Sequence, residues 1–430
     1  MKNTLSNFIK ASGPGLMFAA AAIGASHVVQ ATRAGAAYGL TMLGLIVLIG
    51  ILKYPAFRAG PHYALASHES LLTAYRRQGR FVLTLFMFIV ITGVVAIQAA
   101  IMITTATLFE YLLQLPPRPL LMSALLTLAS IGLLAIGRFR WLDILIKILL
   151  LGLVLATLFV SILAWSDIPW DSFKLLPDFS QLGHRDFLFM AALIGWMPSA
   201  IDLAVLNSMW TLARAQDTHY QPTLKQVFLD FNIGYIVTMV LAFFFVFLGA
   251  GVMYNAGLSF SDNSSLFVEQ FIHLYTQHLG DWTRPYVAFC AFAVMFSTLL
   301  VIIDGFPRLI RGLLIIPFVP LNNEKLLKLS ESMPMSRVQF TVIAGFIALL
   351  SLAFLAWLSQ SLVFMVDFAT TLSFVTAPFL AWFNFRALNS ARVPTGMRPG
   401  RGFMAYSGLC VLLLALLAAY YVWIRFSPVF

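Results

Sequence analysis

Apolar runs long enough to cross roughly 30 Å of hydrocarbon as helices, about 20 residues each, recur along nearly the whole chain. They fall at 13–38, 41–66, 81–113, 119–136, 142–165, 187–212, 228–254, 284–306, 338–358, 361–384 and 403–424, and they predict an all-α polytopic membrane protein with 11 transmembrane helices. Two of the runs are interrupted. In the first, Gly24-Ala25-Ser26-His27 places small, helix-weakening and polar residues where the bilayer midplane falls. In the sixth, Gly195-Trp196-Met197-Pro198-Ser199 does the same. Backbone groups freed at that depth are tolerated only where protein or a water-lined cavity satisfies them. Two interrupted spans at matching places in two halves of a chain point to an inverted-repeat transporter with its substrate site at the breaks.

Composition narrows the class. The chain has 430 residues, 60% of them hydrophobic and only 10% charged, with a mean hydropathy of +0.89, far too apolar for a soluble domain. A net charge of +10 would suggest nucleic acid in a soluble protein, but here the basic residues gather in short loops, so nucleic acid is not an expected partner and the lipid bilayer is. With the N-terminus cytoplasmic, Arg76, Arg77, Arg80, Arg308, Arg311, Arg386, Arg392, Arg398 and Arg401 fall inside, whereas the outer loops hold only Arg118, Lys174, Arg185, Arg284 and Arg425. The positive-inside rule then places the C-terminus outside, in what reads as a bacterial inner membrane. Cys290 and Cys410 lie in apolar runs and suggest neither a disulfide nor a metal site. The seven histidines are scattered, and neither a His-Glu-x-x-His nor a P-loop occurs, so no enzyme is expected.

A broken helix offers carbonyls at the end of its first half and amides at the start of its second. Gly24, Ala25 and Pro198 are the predicted breakers. Pro198 clashes with the carbonyl of Ile194, which would then face a ligand. His27 and Met197 bring an imidazole and a thioether, a pair that suits a transition metal better than calcium or magnesium. The bland alternative for Met197 is a core filler, one of 17 methionines, and for His27 a helix cap. Ser26 and Ser199 add hydroxyls, and Asp202, one turn after Pro198, adds the nearest negative charge. Ionisable residues within spans are functional candidates by default; Asp202 and Arg33 are the most prominent. Lys53, Arg58 and His62 read instead as snorkelling from the inner end of the second span. Hydroxyls such as Thr298, Thr370 and Ser373 line a polar path or bond back to their own helices.

The first span resembles that of the Nramp family of divalent-metal transporters: Gly13-Pro14-Gly15 and Gln30-Ala31-Thr32-Arg33-Ala34-Gly35-Ala36 look like the flanks of its signature, and Met197-Pro198 like the start of its Met-Pro-His motif. Lys53-Tyr54-Pro55 and Gly60-Pro61-His62-Tyr63-Ala64 are more similar to a divergent branch that includes magnesium transporters. The resemblance implies a leucine-transporter-like core of two inverted five-helix repeats, 1–166 and 167–390, plus an extra C-terminal helix at 391–430, all one membrane transport domain. The chain departs from the family where Asp-Pro-Gly-Asn is replaced by Gly24, Ala25, Ser26 and His27, and where Ser199 and Ala200 follow Met-Pro in place of histidine and asparagine.

The expectation is a transporter, secondary-active or facilitative, that moves divalent transition-metal cations of the manganese or iron kind by alternating access, with the metal as substrate and no permanently bound cofactor. His27 and Met197 are the expected metal-contacting side chains, with Gly24, Ser26, Ile194, Ser199 and Asp202 around them. Monomer or oligomer is left open. Two alternatives stand: a carrier of a small organic solute such as an amino acid, motivated by Arg33 and the amides after His27, and a non-transporting membrane receptor or scaffold, which predicts no flux of any solute.

Overall fold

The computed structural model describes residues 7, 10–136, 140–174, 177–178, 183–254, 256–323, 326–327, 335–358 and 361–426. The first span is two helices, α1 (Pro14–Ala22) and α2 (Thr32–Tyr38), joined through a π-helical segment, Ser26–Ala31. Its halves meet at 47°. Then follow α3 (Leu43–Ser67), α4 (Leu71–Gln78), α5 (Arg80–Leu112), α6 (Pro119–Ile136) and α7 (Arg140–Leu163). The sixth predicted span is also two pieces, α8 (His184–Trp196) and α9 (Leu203–Asp217). After them come α10 (Leu224–Gly249), α11 (Ser264–Leu279), α12 (Arg284–Ile315), α13 (Arg337–Trp357), α14 (Leu362–Leu388) and α15 (Arg401–Phe426).

Among the described residues, eight helices are long and apolar enough to cross a membrane, nine with the bent first pair counted as one span. The broken sixth run and α7 are not among them. The short helices α4 and α11 lie between the predicted runs, because at 8 and 16 residues they are too short to register in a search for spans. The last predicted run before the basic stretch ends later than expected: α12 continues to Ile315 and is followed by a 3-10 turn, Ile316–Phe318.

Burial sorts the helices into an interior and a rim. In the most apolar windows of α3 and of the span containing α12, 72% of residues are buried, against 28% for α6 and α15. The rim thus presents its apolar side chains to lipid, and the interior must accommodate polar groups. The two broken helices sit inside: α1 and α2 against α10, α8 against α14, and α9 against α3. The contacts are close because small residues permit it. A Cβ on Gly15 would stand 2.1 Å from the carbonyl oxygen of Asp230, and one on Gly234 would stand 2.2 Å from that of Gly15. Asp230 completes this joint, its carboxylate accepting from the amides of Gly13 (3.1 Å) and Gly15 (2.6 Å) at the start of α1. A carboxylate on the exposed amides of a helix N-terminus satisfies donors that have no intrahelical partner.

Candidate functional site

The first interruption spans Ile23, Gly24 and Ala25. Side chains meet its freed carbonyls. The Ser26 hydroxyl lies 2.6 Å from Ala22 O. Thr298, on α12, lies 3.2 Å from Ile23 O, 3.4 Å from Ala20 O and 3.2 Å from its own Val294 O, so its single proton serves one of them at a time. Thr298 also explains Gly24: a Cβ there would come within 3.0 Å of the threonine side chain.

The second interruption runs from Met197 to Asp202. Gly195 is required just before it, since a Cβ would lie 1.8 Å from Thr370 O on α14. Here the freed carbonyls are met by a lysine. The Lys53 ammonium donates to Gly195 O at 2.7 Å and Ser199 O at 3.0 Å, and the residue is 0% exposed. Lys53 therefore does not snorkel. It stands well inside α3, and its stem leads into the break. Nor does Arg58 reach for solvent: its guanidinium sits 3.9 Å from the Phe228 ring centre and 4.4 Å from that of Phe403. The carbonyl assigned to a ligand was that of Ile194; the ones the ammonium engages are those of Gly195 and Ser199.

Both interruptions open on one cavity of about 60 Å³. Gly24, Ala25 and Ser26 line it from the first break, Trp196, Ser199, Ala200 and Asp202 from the second, and Thr298 from α12. Asp202 is the sole ionisable group in that lining. It immediately precedes α9, where the positive end of the helix dipole favours a carboxylate, and it lies within electrostatic range of Lys53.

His27, Ile194 and Met197 do not line the cavity. His27 is fully buried and faces α10, with Nε2 2.9 Å from Thr238 O, Nδ1 2.7 Å from the Ser26 hydroxyl, and its ring edge-on to Phe245. A carbonyl only accepts, so Nε2 carries a proton. In the neutral ring Nδ1 is then an acceptor, and the single Ser26 proton serves either it or Ala22 O at a time; the ring is buried against α10 and away from the cavity. Met197 is likewise fully buried, in the apolar core. The described residues contain no group of three or more histidine, cysteine and acidic side chains able to hold a metal ion.

Arg33, taken as an anchor for an organic anion, is committed elsewhere. Its guanidinium holds both Asp367 oxygens, at 2.6 and 3.2 Å, and Gln30 Oε1 at 3.1 Å. Gln30 in turn donates to Asp367 at 2.8 Å. The hydroxyls of Ser297, Thr370, Ser373 and Thr376 bond back to carbonyls of their own helices, although Ser373 also accepts from the Trp196 indole at 3.1 Å.

Comparison with known proteins agrees with this architecture. A structure of an Eremococcus coleocola manganese transporter in complex with an aromatic bis-isothiourea substituted compound has a TM-score of 0.62 at 18% identity, over 99% of this chain and 89% of that one. MhsT in complex with L-phenylalanine has a TM-score of 0.60 at 15% identity, over 97% and 99% of the two chains. At these identities the likeness shows the fold alone, which this chain shares with both structures. An uncharacterized protein of Pasteurella multocida is 32% identical over 393 residues, 89% of this chain and 86% of its own. Residues 15–424 match the family described as natural resistance-associated macrophage protein-like. The chain therefore belongs to the Nramp family, a family of membrane transporters and not of enzymes.

Proposed function

We propose that this protein carries a divalent metal cation across the membrane by alternating access, through the cavity between its two helix breaks. The observation that supports this best is the size and lining of that cavity: about 60 Å³ with a single carboxylate, Asp202. Pockets for drug-sized molecules run to about 300–1,000 Å³, so the space is small for an organic solute and suits a partly dehydrated ion. With Arg33 tied to Asp367, the organic-solute reading also lacks its anchoring cation. The metal is cargo; its ligands in this reading are Asp202, the hydroxyls of Ser26 and Ser199, and main-chain oxygens near Gly24.

Manganese- or iron-like ions are the finer assignment. Met197 supports it, because a thioether in the same break as Ser199 and Asp202 is a soft donor that selects such ions over calcium and magnesium. Being buried, it reaches the ion only when the break shifts during transport. His27 takes the role of a positioning residue that ties the first break to α10.

The same proposal reads α7 and the pair α8 and α9 as spans, which gives eleven in two inverted five-helix repeats with α15 added. The N-terminus is inside, following the basic loops, in a bacterial inner membrane.

The test is uptake into proteoliposomes of manganese, iron, cobalt, zinc and cadmium, with amino acids alongside. Metal uptake is expected. Asp202→Asn should reduce it by roughly tenfold or more, since a buried cation left without its carboxylate loses well over the 1.4 kcal/mol that a factor of ten represents. A folded protein that moves amino acids and none of the metals overturns the reading.

A further inference from the structure

Lys53 raises a problem for any carrier of cations. Its ammonium already occupies the carbonyl oxygens of Gly195 and Ser199, next to the one carboxylate that lines the cavity. An incoming dication that binds at Ser199 and Asp202 meets that ammonium across the break, and two cations this near repel each other strongly. One of them has to yield.

We propose that Lys53 is a tethered cation that stands in for the substrate when the site is empty, so that the unloaded carrier can reorient. The proposal rests on the reading above that the cargo is a cation. An alternating-access carrier passes through closed states in which its site is shut off from water. In such a state the carbonyls of the second break would be buried without a partner and the charge of Asp202 without a nearby counter-charge, which is costly for a polar group and far more so for a charge. Loaded, they have the metal. Empty, the carbonyls have the Lys53 ammonium and Asp202 has its charge within electrostatic range, on a stem anchored in α3 that needs no ion from either side. When the metal binds, the ammonium gives up Ser199 O and moves away from Asp202. When the metal leaves, it returns. Lys53 is thus a positioning residue for the empty half of the cycle, not a ligand of the cargo.

A merely structural lysine would predict something else: a general loss of folded protein, with all modes of transport falling together. The two roles separate because net uptake requires the empty carrier to return, whereas exchange of internal for external metal does not. In proteoliposomes, Lys53→Met, which keeps the stem and removes the charge, should lower the ratio of net manganese uptake to manganese exchange by roughly tenfold or more, the scale of leaving buried polar groups without their compensating charge. Lys53→Arg, which keeps the charge, should restore part of that ratio. An unchanged ratio in folded Lys53→Met protein overturns the proposal.

A substrate-free measurement covers the case in which wild-type protein moves no metal and the functional reading itself fails. In a Cys290→Ser, Cys410→Ser background, Val301→Cys places a thiol on the cavity wall. Without substrate, a membrane-impermeant thiol reagent should label it from both sides when Lys53 is present, and from one side only in Lys53→Met. Equal two-sided labelling in both proteins contradicts the tethered-cation role.

Discussion

The imidazole of His27 sits at the most conspicuous point of the first break, and its hydrogen bonds decide what it does. With Nε2 on Thr238 O and Nδ1 on Ser26, it holds the unwound strand against α10. Removing it loses the contact with Thr238 O and empties a fully buried site, at a cost of about 1–3 kcal/mol. His27→Ala should therefore lower the unfolding midpoint in detergent while changing the apparent KM for metal by less than about twofold, which is under ~0.5 kcal/mol. A tenfold rise in KM with unchanged stability would show instead that the ring is a ligand. The same bookkeeping of protons and lone pairs separates Asp202, whose carboxylate faces the cavity, from Asp367, which is paired with Arg33.

At the scale of elements, the two breaks are held differently. The first is capped by hydroxyls, Ser26 and Thr298; the second by a charge, Lys53. Both depend on close helix contacts that a methyl group would disturb. Gly195→Ala places a Cβ 1.8 Å from Thr370 O and should destabilise the packing of α8 on α14 by about 1–3 kcal/mol, the usual scale of overpacking. Gly93→Ala on α5 meets nothing within 4 Å and should be neutral or stabilising by about 0.5–1 kcal/mol from helix propensity. Thermal unfolding of the two variants side by side checks this; equal midpoints would mean that the α8 contact is looser than it stands here.

What was legible in the sequence follows the same division. The breaks could be read because Gly24, Ser26 and Pro198 interrupt apolar runs, and such interruptions are local. The partners of Lys53, Arg33 and Asp230 could not, because each reaches a helix far away in the chain and nothing in local spacing encodes that reach. Lys53 did carry a signal: an ionisable residue within a span is a functional candidate wherever it falls. Its position near Arg58 and His62 made snorkelling the easier reading, and only the buried geometry separates the three. Polar short helices such as α4 were missed because hydropathy detects spans and little else.

For the whole molecule, the rim of α6, α13 and α15 faces lipid while the interior gathers the buried polar groups, and the cavity lies where both halves of the chain meet. Its charge is set by one carboxylate and one nearby ammonium, so the empty protein presents a site with little net charge and the loaded one must rearrange it. That makes the location of the cargo the decisive quantity. Crystals soaked in manganese and measured at its absorption edge should give an anomalous peak in the cavity within bonding distance of Asp202, with Lys53 withdrawn from Ser199 O. A peak on the His27 ring, or no peak in protein that retains its fold, would contradict the account.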